Sequence, residues 1–307
     1  MIFMSYLGSA AFYVPLLLAL FWCVAPRQAA RAAVVLLFGA VLNALLKLVF
    51  HAPRPYWTDP SVKGRQSLTS FGMPSGHAQN SIAGWGFFAA QTRRWYLWAG
   101  AVAVILLIGV SRVYLGVHST GQVLAGWGVG LAVLVAALGL EPIAVPWWRR
   151  QHLAVQLALS LAVSLLMLAA SWGAARPLRD WRWPQAWAEA VRAAGGVAEP
   201  VTLTDSAQAS GALCGLLMGL SLVAWRGWFE PGGRAWQRLA RLPVGLAGAA
   251  VIAFFEGAGL VQAFAVQALL VLWVTAGAPE VFVRLRLAAR PTPGLTRAGD
   301  DRAGLRQ

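Results

Sequence analysis

The feature that most restricts the fold of this chain is a series of long apolar stretches separated by short segments rich in arginine. Stretches such as VPLLLALFWCVA, at residues 14–25, lack the alternation of apolar and polar residues that a membrane barrel strand requires. Only 12% of the 307 residues are charged, about half of the roughly 25% that is usual in soluble domains. Because lipid admits only helices and closed barrels, the sequence predicts an all-α, polytopic transmembrane helical bundle.

A helix that crosses a bilayer needs about 20 apolar residues, with a range of about 17 to 25. By this criterion the sequence predicts about nine spans, arranged as a six-helix core and a three-helix C-terminal extension. The predicted spans are residues 10–24, 33–50, 77–90, 95–110, 122–140, 153–172, 207–225, 243–259 and 260–277. The first and third are short, and Glu256, Gly257 and Gly259 interrupt the last two.

These spans divide the chain into four parts. The core covers residues 1–175, the C-terminal transmembrane extension covers residues 207–290, and the tail at residues 291–307 is predicted to be disordered. Residues 176–206 are predicted to form an extracytoplasmic loop. In this loop, residues at helical spacing predict a short amphipathic helix in the membrane interface: Trp183, Trp187, Val191 and Ala194. An ordinary loop with aromatic anchors is the alternative.

The distribution of arginine predicts the orientation in the membrane. With nine spans and an outside N-terminus, the arginine clusters fall on one side, at residues 27–31, 93–94, 149–150, 226–241 and 284–290. The positive-inside rule makes that side cytoplasmic. Only two of the 25 basic residues are lysines, as in GC-rich bacteria, so the predicted location is a bacterial inner membrane. The net charge of +14 is scattered, which favours contact with anionic lipid headgroups over binding of nucleic acid.

The first of three polar segments predicted to lie outside the cytoplasm is KLVFHAPRPYW. Lys47 stands within an apolar span, and Arg54 follows just beyond it. A lysine at membrane depth is costly and usually meets an anion or lines a polar cavity. The alternative is that Lys47 extends to the membrane surface and has no partner.

The other two segments are FGMPSGHAQNS and SRVYLGVHSTGQV. In the former a helix is predicted to begin near His77, which places Ser75 and the Gly76 N–H at a helix N-terminus. Such an N-terminus favours anions, although an ordinary helix cap would look the same. In the latter, Arg112 and His118 bracket a turn between two spans.

Together the three segments supply three permanent cations, neutral hydrogen-bond donors and two histidines. A bound phosphate would compensate this density of positive charge, and forked guanidinium groups suit phosphate. The two histidines could act as a nucleophile and a proton donor. No cluster of carboxylates or cysteines accompanies them, so the sequence predicts no metal ion and no other cofactor.

The chain resembles the type-2 phosphatidic acid phosphatase superfamily in three motifs: KLVFHAPRP at residues 47–55, PSGH at 74–77 and SRVYLGVH at 111–118. The resemblance covers roughly residues 5–173 and implies a metal-independent phosphohydrolase with a covalent phosphohistidine. It implies that His118 attacks phosphorus and that His77 protonates the leaving oxygen. It also implies which groups hold the phosphoryl oxygens: Lys47, Arg54, Ser75, Gly76 and Arg112.

One residue departs from the pattern of most members, which have aspartate where this chain has Gln122. Glutamine can still accept a hydrogen bond from the imidazole of His118 and fix its tautomer, but it brings no negative charge. In the serine-protease triad, replacing aspartate by asparagine costs about 10⁴ in rate, so an inactive site is one reading. Glucose-6-phosphatases and dolichyl diphosphatases also look to carry glutamine here, and RPYW and GMPSGHAQ are similar to them. We therefore expect Gln122 to mark a subgroup and to act in catalysis.

The expected substrate is a membrane lipid phosphate held at the outer interface of the bilayer. A polyprenyl diphosphate is the first choice, because of the similarity to dolichyl diphosphatases. Phosphatidic acid, phosphatidylglycerol phosphate and a soluble sugar phosphate are the alternatives. Phosphotransfer to another lipid and a non-catalytic lipid transporter also remain open, as do the oligomeric state and the role of residues 176–307.

Overall fold

The computed structural model describes residues 1–182, 184–197, 199–257 and 259–291. It is 75% helical, and the described part contains no strand apart from one isolated bridge between Glu230 and Ala289. This confirms the predicted all-α, polytopic bundle. Trp183, one of the four residues behind the predicted loop helix, lies outside the described residues, as does the predicted tail beyond Pro291.

Fourteen α-helices are described. They are α1 (Ile2–Tyr6), α2 (Ala10–Cys23), α3 (Pro26–Phe50), α4 (Pro55–Thr58), α5 (Gly76–Ser81), α6 (Phe87–Ala90), α7 (Trp95–Tyr114), α8 (Thr120–Arg150), α9 (Leu153–Ala175), α10 (Gln185–Ala193), α11 (Thr204–Arg226), α12 (Ala235–Ala253), α13 (Leu260–Leu272) and α14 (Ala278–Arg284). Two π-helical turns, Ile82–Gly86 and Trp273–Gly277, join α5 to α6 and α13 to α14.

Six helical segments of the described chain are long and apolar enough to cross a membrane. They are Pro26–Thr58, Trp95–Tyr114, Thr120–Arg150, Leu153–Leu178, Thr204–Arg226 and Leu260–Arg284. The remaining predicted spans correspond to α2, to α5 with α6, and to α12, which do not reach that standard. The chain is an integral membrane protein, and the count of nine spans stays a prediction.

The eighth predicted span differs in position from the helix that occupies its place. We expected it at residues 243–259, but α12 begins at Ala235 and ends at Ala253, so Glu256 follows the helix. In the sequence, the arginines at positions 234, 238 and 241 favour a cytoplasmic connection between two spans before Pro243. The helix extends through them because Arg241 is fully buried and donates hydrogen bonds to backbone carbonyls.

Two pairs of glycines at four-residue spacing bring helices into close contact. On α8, a side chain at Gly126 or Gly130 would collide with backbone carbonyl oxygens of the segment that starts α5. On α11, a side chain at Gly211 or Gly215 would collide with carbonyl oxygens of α13. Small residues at this spacing are a common means of helix association in lipid. The first pair fixes the start of α5 against α8, and the second holds the extension together.

The loop between α9 and α11 contains the helix that the sequence indicated, α10. Val191 is fully buried, and the ring of Trp187 lies 6.2 Å from that of Trp57, which belongs to α4. The apolar face of α10 therefore packs on the segment that follows α3. Its place in a membrane interface remains a prediction.

Candidate active site

The last turn of α3 and the segment after it are joined through Ser70. The Lys47 ammonium donates to Ser70 Oγ over 2.8 Å, and Arg54 Nε donates to Ser70 O over 2.8 Å. Arg54 is only 1% exposed. Its Nη1 donates to Val117 O over 3.0 Å and lies 3.1 Å from Nε2 of His118. Arg54 thus ties the first motif to the third.

The contacts of His118 define which of its nitrogens carries the proton. Nδ1 lies 2.8 Å from Gly72 O and 3.2 Å from Gln122 Oε1, and both oxygens can only accept. Nδ1 is therefore the protonated nitrogen, which leaves a lone pair on Nε2, facing the guanidinium of Arg54. Nε2 is therefore the nitrogen that can attack an electrophile, once Arg54 donates to a phosphoryl oxygen instead of to this lone pair.

Gln122 is held in the orientation that this tautomer needs. Its Nε2 donates to Pro53 O over 2.7 Å, and its Oε1 also accepts from the Ser119 N–H over 3.3 Å. An aspartate or glutamate would offer no donor to Pro53 O. Any side chain at Gly72 would collide with the Gln122 amide and push it from this position. The geometry agrees with the predicted hydrogen bond between Gln122 and His118, although its importance for catalysis stays a prediction.

Arg112 is fully buried but only partly satisfied. Its Nη1 donates to Gln66 Oε1 over 2.9 Å and to Ser5 Oγ. Its Nε and Nη2 are buried and have no hydrogen-bond partner among the described residues, and the same holds for Ser75 Oγ. Because buried donors are almost always paired in native proteins, these three groups indicate a place for a hydrogen-bonding ligand.

The start of α5 is stabilised from two sides. The Ser75 N–H donates to Gln122 O over 3.0 Å, and Asn43 Nδ2 donates to Pro74 O over 3.3 Å. Because the first residues of a helix have no acceptor within it, the N–H groups of Gly76 and His77 are available to a ligand. The predicted anion site at this helix end therefore has the expected backbone geometry.

The positive charges converge on both imidazoles. Burial, followed by the charges of Arg54, Arg112 and Lys47, lowers the pKa of His118 well below its ordinary range. His118 is thus neutral at physiological pH, as a nucleophile must be. The charges of the same three cations also disfavour protonation of the His77 imidazole. The structure accordingly gathers the predicted cations and histidines in one place, next to the start of α5.

Sequence reasoning missed several residues that hold the predicted ones: Ser5, Asn43, Gln66, Ser70 and Gly72. Asn43 could have been found, because it is a polar residue one helical turn before Lys47. Ser70 and Gln66 lie in a polar loop and carry no sequence signal. Within the described ranges, no group of three or more histidine, cysteine or acidic side chains is arranged to hold a metal ion. The predicted absence of a cofactor remains a prediction.

Two family profiles match the chain. One, the PAP2 superfamily, covers residues 28–145, and the other, the PAP2 superfamily phosphatase transmembrane extension, covers residues 207–290. This chain belongs to the PAP2 superfamily. The first profile includes the three PAP2 motifs and Gln122, and the second corresponds to the predicted C-terminal extension.

The curated relatives of this PAP2 chain are distant in sequence. It is 28% identical to lipid phosphate phosphatase delta of Arabidopsis thaliana, over 43% of this chain and 35% of the relative. It is 33% identical to phosphatidylglycerophosphatase B of Bacillus subtilis, over 35% of this chain and 56% of the relative. It is 27% identical to undecaprenyl-diphosphatase of Sulfolobus acidocaldarius, over 46% of this chain and 69% of the relative. The chain thus spans about a third of the length of the first relative and somewhat over half of the length of the second. No solved structure matches it.

Proposed function

We propose that this chain is a membrane phosphatase that hydrolyses a lipid phosphate or diphosphate through a phosphohistidine intermediate. The observation that carries the proposal is the neutral imidazole of His118, whose unprotonated Nε2 faces the Arg54 guanidinium. The charge of Arg112 also acts on this ring, and two buried donors of Arg112 have no partner among the described residues. A phosphoryl group bound there would satisfy Nε and Nη2 of Arg112 and the hydroxyl of Ser75. Membership of the PAP2 superfamily supports the same activity.

In the first step, Nε2 of His118 attacks phosphorus and the bond from phosphorus to the leaving oxygen breaks. His77 takes up a proton when the bound phosphate anion offsets the charges of the three cations, and it donates that proton to the leaving oxygen, so the leaving group departs as a neutral alcohol or a protonated phosphate. Lys47, Arg54 and Arg112 stabilise the charge on the phosphoryl oxygens, which is the main catalytic task in phosphoryl transfer. The carbonyl of Gly72 and the amide oxygen of Gln122 stabilise the proton on Nδ1 as the ring becomes positively charged.

In the second step, water attacks the phosphohistidine and neutral His77 accepts a proton from it. The bond between phosphorus and Nε2 breaks, inorganic phosphate leaves, and His118 returns to its starting tautomer. The hydrogen bonds from Nδ1 keep the ring in one orientation through both steps.

Two substrate classes have specific support. A polyprenyl diphosphate was the sequence-based first choice, and the relative named undecaprenyl-diphosphatase supports it. A lipid phosphate with a hydroxyl-bearing headgroup is the second, supported by the relative named phosphatidylglycerophosphatase B and by amide and carboxylate side chains beside Lys47. We also propose that the site faces away from the cytoplasm of a bacterial inner membrane, since the main arginine clusters fall on the opposite side.

The test is phosphate release by the purified full-length protein in detergent micelles. The panel comprises undecaprenyl diphosphate, phosphatidylglycerol phosphate, phosphatidic acid and glucose 6-phosphate, and His118→Ala is the control. We expect release from at least one lipid, loss of release in the control, and acid-labile labelling of the wild-type protein by ³²P-substrate. Release that persists in His118→Ala would contradict the mechanism. Lipid movement across vesicles without phosphate release would favour a transporter, and preference for glucose 6-phosphate would favour a soluble substrate.

A further inference from the structure

A cavity of about 350 Å³ lies next to Lys47 and Gly76, between the PAP2 core and the C-terminal extension. One wall comes from α3 and α5, which also position the phosphate-binding groups. The facing wall comes from α11 and α13 of the extension, through Asp205, Gln208 and Gln267. Because Lys47 and Gly76 also belong to the candidate phosphate site, the extension borders a space next to that site.

The polar residues of this cavity lie in helices that are otherwise apolar. Asn80 in the core and Gln267 in the extension both line it, and the Oδ1 atom of Asn80 is buried without a partner among the described residues. The side-chain Nε2 of Gln208 donates to Glu256 Oε1 over 3.0 Å, which leaves the side-chain oxygen of Gln208 as an acceptor. Polar side chains within membrane helices usually mark a functional cavity. Amide groups that converge from two domains suit a ligand with several hydrogen-bonding groups.

Asp205 supplies a negative charge opposite the cationic cluster. Its charge acts on Lys47, yet these two described side chains form no direct ion pair. Both side chains line the cavity, so a hydroxyl group bound in it would have the carboxylate as an acceptor. A second phosphate would be repelled by that carboxylate, with Lys47 as the one cation on the cavity's described lining.

We propose that the C-terminal extension forms the leaving-group subsite, in which Asp205, Gln208 and Gln267 bind free hydroxyl groups close to the scissile bond. This inference rests on the proposed phosphatase function. It favours a lipid whose phosphate sits on a glycerol-like headgroup over a diphosphate. The extension thereby becomes a specificity-determining part of the enzyme.

The experiment compares three lipids in the same mixed micelles. The leaving group of phosphatidylglycerol phosphate carries a free hydroxyl, that of phosphatidic acid carries none nearby, and that of undecaprenyl diphosphate carries a second phosphate. Asp205→Ala should lower kcat/KM for the first lipid about tenfold, because a hydrogen bond to a charged group is lost. It should change kcat/KM for phosphatidic acid less than about twofold, and it should raise kcat/KM for the diphosphate.

Three further variants separate the effect of the Asp205 charge from the effects of hydrogen bonding and of folding. Asp205→Asn keeps an acceptor without the charge, so it should reproduce the gain on the diphosphate with a smaller loss on phosphatidylglycerol phosphate. Gln267→Ala, on the other extension helix, should lower only the rate on the hydroxyl-bearing lipid. Glu199→Ala removes an exposed acid from the loop that precedes α11 and should leave all three rates unchanged.

The possible failures are distinguishable. If the wild-type protein releases no phosphate from any of the three lipids, the proposed function fails and this inference fails with it. If release depends on His118 but Asp205→Asn and Gln267→Ala change all three rates by the same factor, or by none, only the leaving-group subsite is refuted.

Discussion

The two ends of the helix bundle each bury an arginine, and the two arginines differ in how their donors are used. Arg241, where α2 ends and α3 begins, is 0% exposed. Its donors are matched by four backbone carbonyls: Trp22, Pro231, Gly232 and Leu287. Arg112, at the end that carries His118, is also 0% exposed, but its Nε and Nη2 have no partner in the described chain. Burial and charge are equal, so the unpaired donors are what distinguish a binding site from a structural contact.

The difference has an energetic basis. An unsatisfied buried donor costs about 1–3 kcal/mol, and more when it is charged. At Arg241 the carbonyls remove that cost during folding, which stabilises the packing of α12 against α2. At Arg112 two donors are left unpaired by the described chain, and the proposed phosphate would remove that cost when it binds.

The largest effect is expected from the nucleophile at the Arg112 end. His118→Ala should lower kcat by at least about 10³-fold, because no other group can form the phosphoryl intermediate. The thermal midpoint in detergent should fall, because the buried ring no longer fills its place or donates to Gly72 O, so kcat is measured on the folded, monodisperse fraction. Residual turnover within tenfold of wild type would show that this end of the bundle is not the catalytic one.

Arg112→Ala should lower kcat/KM for a lipid phosphate by about 10²–10³-fold, because two donors to the transition state are lost. Its thermal midpoint should stay the same or rise, since the remaining cations repel one another less. A marked loss of stability with normal kinetics would place Arg112 in the same structural class as Arg241.

Arg241→Ala should have the opposite profile. Removal of this side chain leaves several buried carbonyls unpaired, so we expect a loss of about 2–5 kcal/mol in unfolding free energy. The folded fraction should keep its specific activity within about twofold. Measurement needs a thermal melt together with activity normalised to the monodisperse protein, and a selective loss of kcat would contradict the assignment.

The smallest expected effect is a shift in pH dependence. The pKa of His118 is lowered by burial and by three cations, so the neutral, nucleophilic form persists well into the acidic range. In Gln122→Glu, a carboxylate beside Nδ1 favours the charged ring and raises the pKa of His118. The acidic limb of kcat/KM should therefore move to higher pH. A matched profile on the same substrate measures this, and an unmoved or lowered limb would exclude Gln122 as a neighbour that tunes the ring.

The same lowered pKa also predicts how stability depends on pH. In the unfolded chain His118 binds a proton near its ordinary pKa, whereas the folded protein does not. The folded protein is therefore most stable, as far as His118 is concerned, above the ordinary pKa of histidine. Its free energy of unfolding decreases as the pH falls through that ordinary value.

The sequence alone determined the class of fold and identified the candidate site residues. Long apolar runs specify membrane helices because the requirement for internal hydrogen bonding in lipid is local to each segment. Lys47, Arg54, His77, Arg112 and His118 were identifiable because charged and ionisable groups are rare in such a chain. The sequence did not determine the orientation or the substrate. It also left the number of spans open, because weak spans such as α2 and α12 depend on their neighbours.

Only the tertiary structure decided how those residues are paired. The tautomer of His118 depends on Gly72 O, which lies 46 residues away in the chain, and the role of Arg241 depends on Trp22 O, 219 residues away. The place of Asp205 opposite Lys47 depends on the packing of the extension against the core. Hydrogen bonds of this kind join backbone and side-chain atoms that carry no sequence pattern of their own. They exist because helix packing brings distant segments within 3 Å of one another.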